Sequence, residues 1–140
     1  MSKTGPIVIV EDDADDKEIF ESIVGDLNVK NEIVWFTEAR SAFSFLKATD
    51  KKVFLIFCDI NLPGKDGIEL KGEIDADPEL RKKSIPFVFL STQANKHDIE
   101  VAYVKMTVQG FFKKGNNYNE MKSMLKTIFE YWKNSLHPNT

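Results

Sequence analysis

The sequence predicts an α/β protein with a doubly wound, five-stranded parallel sheet and five helices on its two faces. Two apolar runs without a charge, Ile7–Val10 and Val53–Cys58, are typical of strands that are buried on both sides. Segments with apolar residues at helical spacing separate the strand-like runs along the chain. Because strands alternate with helices, the pattern favours a parallel sheet joined by right-handed crossovers.

The first half of the chain supplies two strands and two helices. Strand one is Ile7–Val10, and Asp13 can cap the helix that follows over about Ala14–Asp26. Strand two is Glu32–Phe36, and Thr37 then opens a second helix. The apolar face of this second helix comprises Ala39, Ala42, Phe43 and Leu46.

The second half repeats the alternation. Strand three is the apolar run Val53–Cys58, and a turn rich in Pro and Gly leads to a short helix over Ile68–Ala76. The polar stretch Asp77–Ser84 follows and is assigned no element. The remaining elements are strand four at Pro86–Ser91, a helix at about Lys96–Val108, strand five at Gly110–Lys113 and a last helix at about Tyr118–Ser135.

Length and composition restrict the class of protein. The 140 residues suit one domain, and 42% hydrophobic residues can form a core over about residues 6–135. A net charge of −3 gives no basic surface for nucleic acid, and a single cysteine excludes an internal disulfide. The absence of a long apolar stretch excludes a transmembrane helix. We expect a cytoplasmic protein with a frayed tail and with surface positions for His97 and His137.

Acidic residues follow two of the buried strands. Glu11, Asp12 and Asp13 come directly after strand one, and Asp59 comes directly after strand three. The carboxyl ends of parallel strands meet at one edge of an open sheet, where ligands bind. Clustered carboxylates repel one another unless a cation lies among them. The pattern therefore predicts a site for a hard divalent metal ion at this edge.

Four short motifs stand at the ends of predicted strands. They are Glu11-Asp12 after strand one, the Asp59–Gly67 loop after strand three, Leu90-Ser91-Thr92 after strand four and Gly110–Lys114 in strand five. Together they resemble the receiver domain of two-component response regulators, and the resemblance extends over essentially the whole chain. In the loop that starts at Asp59, Pro63 and Gly67 lie at the family's positions, four and eight residues later.

The resemblance implies a fold and a function. The fold would be flavodoxin-like, with strand order 2-1-3-4-5, in a single receiver domain over residues 1–140 without an output domain. The function would be that of a phospho-acceptor in a two-component or phosphorelay pathway, and not that of an enzyme. The phosphoryl donor would be a sensor histidine kinase or a histidine phosphotransfer protein. A phosphorylation-dependent change of the fourth helix, strand five and last helix would reach an unknown downstream protein, with the chain as a monomer or a phosphorylation-dependent dimer.

The resemblance also implies roles for individual residues. Asp59 would be phosphorylated, while Thr92 and Lys114 would contact the phosphoryl group. Thr92 and Phe111 would form the conformational switch. Mg²⁺ would be the cofactor, bound directly by Asp12 and Asp59, through water by Glu11, and by the backbone carbonyl of Asn61.

Some assignments have a neighbour as alternative. Ser91 competes with Thr92 and Lys113 with Lys114, although the family's spacing favours the second residue of each pair. Asp13 competes with Asp12, which we prefer because Glu11 and Asp12 follow strand one directly and leave Asp13 as a helix cap. Gly115 stands where the family usually has proline, which predicts a looser loop after Lys114.

An alternative function is that of a receiver-fold scaffold that binds proteins without regulation by phosphate. The presence of the acidic pair, the aspartate, the hydroxyl and the lysine argues against this alternative. The same fold class also contains phosphatases and flavodoxins. Asp-x-Asn after the third strand lacks the phosphatase signature, and the acids after strand one would repel a flavin phosphate.

Overall fold

A computed structural model describes residues 2–92 and 95–139, and in this part of the chain five parallel strands form a single sheet. The strand order is β2-β1-β3-β4-β5, which confirms the predicted fold class. Small differences from the predicted bounds occur at the strand ends. The strands are β1 at Ile7–Val10, β2 at Ile33–Phe36, β3 at Leu55–Asp59, β4 at Phe87–Ser91 and β5 at Gly110–Lys113.

The register aligns the carboxyl ends of the strands at one edge. Val10, the last residue of β1, lies opposite Phe36 of β2 and Cys58 of β3. Asp59 lies opposite Leu90 of β4. The carboxyl ends of β1, β3, β4 and β5 therefore lie along the same edge of the sheet.

Helices cover both faces of the sheet. The helices of the described residues are α1 at Ala14–Asp26, α2 at Ala39–Ala48, α3 at Gly67–Ala76, α4 at Pro78–Lys83, α5 at Lys96–Lys105 and α6 at Tyr118–Asn134, with a short 3₁₀ turn at Ser2–Thr4. On one face, Ile7 and Ile9 of β1 pack in a core with α1 and α6; on the other, Val8 and Val10 pack with α2, α3, α4 and α5. These two cores make the sheet doubly wound.

The prediction of five helices was wrong by one, because α4 lies in the polar stretch that was assigned no element. Asp77 caps α4 by accepting hydrogen bonds from the backbone N–H groups of Glu79 and Leu80 at 3.0 and 3.1 Å. Pro78 occupies the first helical turn, where its missing N–H costs nothing. Only Leu80 reaches the core from this helix, so its sequence shows no apolar periodicity.

Two predicted helix bounds were also wrong. α2 begins at Ala39 rather than after Thr37, and Glu38 occupies its N-cap. α5 ends at Lys105 rather than Val108, because Thr107 leaves the helix to bind Asp75 of α3. The backbone N–H and hydroxyl of Thr107 donate to the Asp75 carboxylate at 3.0 and 2.7 Å.

The end of the chain is packed, contrary to the expected frayed tail. His137, expected at the surface, is 4% exposed and lies against Phe54 and Trp132. Its Nε2 lies 2.7 Å from the backbone oxygen of Phe54, and its Nδ1 accepts from the N–H of Asn139 at 3.1 Å. The core therefore extends beyond the predicted limit at residue 135.

Across the described residues, no helix combines the length and the apolar character that are needed to cross a lipid bilayer.

Candidate functional site

Three strand ends deliver charged side chains to one pocket. Glu11 directly follows β1, and its backbone N–H donates to Phe36 at 2.9 Å, so the strand pairing extends up to the pocket. Asp59 is the last residue of β3. Lys114 directly follows β5, and its N–H donates to the backbone oxygen of Ser91 at 2.7 Å, so the pairing of β4 with β5 continues to Lys114.

The Lys114 ammonium is the centre of this pocket. Within the described part of the chain it donates to three carboxylates: Glu11 Oε2 at 2.7 Å, Asp16 Oδ2 at 2.8 Å and Asp59 Oδ2 at 3.1 Å. The side chains of Lys114 and Asp59 are only 8% and 10% exposed. Buried, charge-assisted hydrogen bonds of this kind are stronger than ion pairs on a surface.

Burial and charge shift the pKa of two of these groups. Burial raises the pKa of Glu11 to about 7, and it outweighs the hydrogen bond and the charge of Lys114, which act in the opposite direction. Burial by itself would lower the pKa of Lys114. Hydrogen bonds to Asp16 and Glu11 outweigh that effect and raise the Lys114 pKa, so the lysine carries a full positive charge.

An acidic cluster of metal-binding character lies at the same edge. Glu11, Asp12 and Asp59 each offer a carboxylate oxygen, and these three oxygens lie within 4.8 Å of one another. Hard oxygen ligands suit Mg²⁺, which is usually bound by one or two carboxylates together with water and phosphate oxygens. The donor set therefore fits the divalent ion that the sequence predicted.

Asp13 has a different position from its neighbour Asp12. Its side chain caps α1 by accepting from the N–H groups of Asp15 and Asp16 at 2.8 and 3.3 Å. Its own N–H donates to Glu11 Oε1 at 3.1 Å, which orients that carboxylate. This geometry favours Asp12 as the second member of the acidic pair.

The loop after Asp59 is shaped by close backbone contacts. The N–H of Asn61 donates to Asp59 Oδ1 at 3.1 Å, while the N–H of Gly67 donates to the backbone oxygen of Ile60 at 2.9 Å. A Cβ atom at Gly67 would lie 2.3 Å from the backbone oxygen of Asp59. Glycine at this position therefore allows α3 to start against the strand end that carries Asp59.

The alternatives at β4 and β5 occupy different environments. Ser91 is a buried strand residue opposite Lys113, whereas Thr92 follows the strand and is exposed at the sheet edge. Lys113 is also exposed. Lys114, whose ammonium contacts Asp59, is therefore the lysine at the pocket, and Thr92 stays the predicted hydroxyl.

Phe111 lies partly buried in β5 on the other side of the sheet from α6. Its ring packs on Phe89 with centroids 5.7 Å apart, and its backbone N–H donates to the Tyr103 hydroxyl at 3.0 Å. Phe111 is therefore in contact with α5.

The loop after Lys114 is held in place rather than loosened by Gly115. A Cβ at Gly115 would lie 2.8 Å from the backbone nitrogen of Met121, so the loop packs directly on α6. Asn117 accepts from the N–H of Glu120 at 2.9 Å, and Glu120 accepts from the N–H of Asn116 at 2.8 Å. This reciprocal capping replaces the fixed bend of a proline.

Sequence reasoning missed Asp16. It lies in the first turn of α1, and such a side chain can reach back toward the end of the preceding strand. An acid three residues after a helix cap is common without any such contact, because acids are favoured near helix N-termini. Only the tertiary structure, in which α1 packs beside α6, shows that Asp16 reaches Lys114.

Comparison with known proteins identifies the class to which this fold and site belong. Residues 7–126 match the response regulator receiver domain, and the chain therefore belongs to that family. The predicted resemblance is thus confirmed.

Individual relatives match over nearly their whole length. Response regulator Rcp1 of Synechocystis sp. is 28% identical over 131 residues, which cover 90% of this chain and 87% of that protein. A crystal structure of the phosphorylated cyanobacterial phytochrome response regulator RcpA matches with a TM-score of 0.84 and 32% identity, covering 95% of this chain and 97% of that one. The Mn²⁺-bound form of Rcp1 matches with a TM-score of 0.80 and 27% identity, covering 94% and 96%.

Proposed function

We propose that this receiver domain is a phospho-acceptor that takes a phosphoryl group on Asp59 from a sensor histidine kinase or a histidine phosphotransfer protein. The observation that carries the proposal is the meeting of Asp59 with a buried ammonium and two further acids at the carboxyl edge of the sheet. Phosphoryl transfer needs little from a protein beyond positioning and charge neutralisation, and this pocket supplies both. The RcpA structure supports the proposal because that relative was crystallised in a phosphorylated form.

The proposed transfer is a single displacement. A carboxylate oxygen of Asp59 attacks phosphorus, the O–P bond forms as the P–N bond of phosphohistidine breaks, and the electron pair remains on the imidazole nitrogen, which takes up a proton. Lys114 lies 3.1 Å from Asp59 and can bind a phosphoryl oxygen there as a compact positive charge. Thr92, which is exposed directly after β4, would donate its hydroxyl to another phosphoryl oxygen.

The residues that would hold Mg²⁺ are Asp12 and Asp59 directly, Glu11 through water and the backbone carbonyl of Asn61. A bound Mg²⁺ ion would neutralise the charge that develops on the phosphoryl oxygens. The Mn²⁺-bound structure of Rcp1 supports this proposal, because it shows a relative with a bound divalent ion.

The proposed output is a change of the face formed by α5, β5 and α6. Thr92 and Phe111 are the proposed switch, in which Thr92 moves toward the phosphoryl group and Phe111 turns inward. Phe111 contacts α5 of this face through Tyr103, whose hydroxyl accepts a hydrogen bond from the backbone N–H of Phe111. Tyr103 and Tyr131 are exposed there and available to a downstream protein.

The proposed setting is the cytoplasm, with protein partners and neither nucleic acid nor membrane. The domain would act as a regulator without a substrate of its own, as a single receiver over residues 1–140 that is a monomer or a phosphorylation-dependent dimer.

Intact-mass spectrometry tests the phospho-acceptor. Incubation with acetyl phosphate and Mg²⁺ should add one phosphoryl mass to the wild-type chain, and the gain should vanish in Asp59→Asn and on removal of Mg²⁺ with a chelator. A wild-type chain that gains no mass would contradict the proposal and favour the phosphate-independent scaffold.

A further inference from the structure

The contact between Asp16 and Lys114 joins two elements that the proposed reaction does not otherwise connect. Asp16 lies in the first turn of α1, and Lys114 follows β5. Their ion pair has an Nζ to Oδ2 distance of 2.8 Å, close to that of the contact with Glu11 and shorter than that with Asp59.

An ammonium group has three N–H donors, and here each has a carboxylate acceptor in the described part of the chain. Before the transfer, while Asp59 is still a carboxylate, an incoming phosphoryl oxygen can therefore bind Lys114 only if one of these acceptors is given up. Exchange of acceptors on a buried ammonium requires a charge-assisted hydrogen bond to break.

Of the three acceptors, Asp16 is the one whose contact with Lys114 breaks at the lowest cost. Glu11 and Asp59 belong to the metal-binding cluster and are about as buried as the lysine. Asp16 is 34% exposed, so water can solvate its carboxylate when the contact opens. Its loss therefore costs less than that of either other partner.

We propose that Asp16 is a positioning residue that holds the Lys114 ammonium in the unphosphorylated state and releases it when Asp59 is phosphorylated. This proposal rests on the proposed function. It makes Asp16 a brake on phosphorylation, because Lys114 must break this contact before it can bind the incoming phosphoryl group.

The test is the rate of phosphorylation by acetyl phosphate at saturating Mg²⁺, followed by intact mass. Asp16→Ala should react about three- to tenfold faster than wild type, as expected for the loss of one charge-assisted hydrogen bond that opposes the step. Asp16→Glu, which keeps a carboxylate within reach of Lys114, should restore a rate near that of wild type.

Asp15→Ala is the matched control. Asp15 lies on the same turn with its side chain exposed. Its removal changes the net charge, and the charge near the helix N-terminus, by the same amount as the removal of Asp16 does. The phosphorylation rate of Asp15→Ala should therefore differ from that of wild type only by the general effect that one lost negative charge has on the approach of anionic acetyl phosphate. As a second measurement, the ¹⁵Nζ NMR signal of Lys114 should move in resting Asp16→Ala and stay in place in Asp15→Ala.

The outcomes separate this proposal from the function on which it rests. Equal phosphorylation rates and unshifted Lys114 ¹⁵Nζ signals in the two alanine variants would contradict the proposed role of Asp16. A slower phosphorylation of Asp16→Ala than of wild type would contradict it as well. A wild-type chain that takes up no phosphoryl group would overturn the proposed function, and the brake with it.

Discussion

At the scale of single residues, charge compensation dominates the candidate site. Lys114 neutralises buried carboxylates that repel one another, and removing one partner of a buried ion pair leaves uncompensated charge in a poorly solvated place. Its neighbour Lys113 is exposed and is opposite Ser91 in the sheet. Adjacent lysines in the sequence therefore have very different expected effects on stability.

We expect Lys114→Met to lower the free energy of unfolding by about 3 kcal/mol in the absence of divalent ions, because Glu11 and Asp59 lose their counter-charge. Added Mg²⁺ should recover part of this loss by replacing the positive charge. Urea unfolding with and without Mg²⁺ measures both effects. The control is Lys113→Met, whose free energy of unfolding should stay within about 0.5 kcal/mol of wild type. Similar losses of stability in the two variants would contradict the conclusion that Lys114, and not Lys113, compensates the buried carboxylates.

Several features of the site at this scale were predictable from local sequence. Acids directly after two buried strands indicated the cluster of Glu11, Asp12 and Asp59, which the structure brings together. The sequence already favoured Asp12 over Asp13, because Glu11 and Asp12 follow strand one directly, and the cluster contains Asp12. Asp16 was missed because its contact with Lys114 depends on where α1 packs in the folded chain.

At the scale of elements, the close approach of α3 to β3 shapes the loop that carries Asp59. Gly67 begins α3, and the space where a Cβ would lie is occupied by backbone atoms of Asp59 and Ile60. Backbone atoms cannot rotate away as a flexible side chain can, so α3 would have to shift.

We expect Gly67→Ala to destabilise the fold by about 2–4 kcal/mol and to slow phosphorylation of Asp59, because α3 must shift away from the strand end that carries Asp59. A Cβ at Gly25, in α1, would meet no atom of another part of the described chain within 4 Å, so Gly25→Ala should stabilise the protein by about 0.5 kcal/mol. Thermal unfolding distinguishes the two. A Gly67→Ala chain as stable as wild type would show that α3 shifts without cost.

Periodicity identified the elements that bury a continuous face and missed the one that does not. α6 buries Leu125, Ile128 and Trp132 along one stripe, so its helical spacing was visible in the sequence. α4 buries only Leu80, and its sequence is otherwise charged apart from Pro78. Its formation depends on the Asp77 cap and on packing with its neighbours, which composition does not show.

At the scale of the whole molecule, the end of the chain docks on the sheet through His137. Both ring nitrogens have partners suited to a neutral ring, with Nε2 beside the Phe54 carbonyl and Nδ1 accepting from Asn139. Burial lowers the pKa of His137; the hydrogen bond to Phe54 opposes this, and the charge of Lys3 adds to it. Protonation therefore favours the unfolded chain.

This linkage predicts a pH dependence. The stabilisation from neutral His137 should be fully present above the unfolded pKa of about 6.5 and should be lost as the pH falls toward the lower folded value. His137→Gln should be less stable than wild type at about pH 7.5 but should lose less stability between about pH 7.5 and pH 5.5. Urea midpoints at the two pH values provide the measurement.

The control is His97→Gln, since His97 is exposed and should leave the pH profile of wild type unchanged. An unaltered profile in His137→Gln would show that other groups dominate the acid sensitivity.

The sequence by itself determined the alternation of strands and helices, the placement of acids after two of the strands and the family, because each of these depends on residue order and local periodicity. The tertiary structure decided which lysine reaches the cluster, that Asp16 meets that lysine and that His137 is buried. These features depend on contacts between residues as far as 103 positions apart, such as Glu11 and Lys114. Distances of that kind are set by how helices pack on the sheet, and no local pattern encodes them.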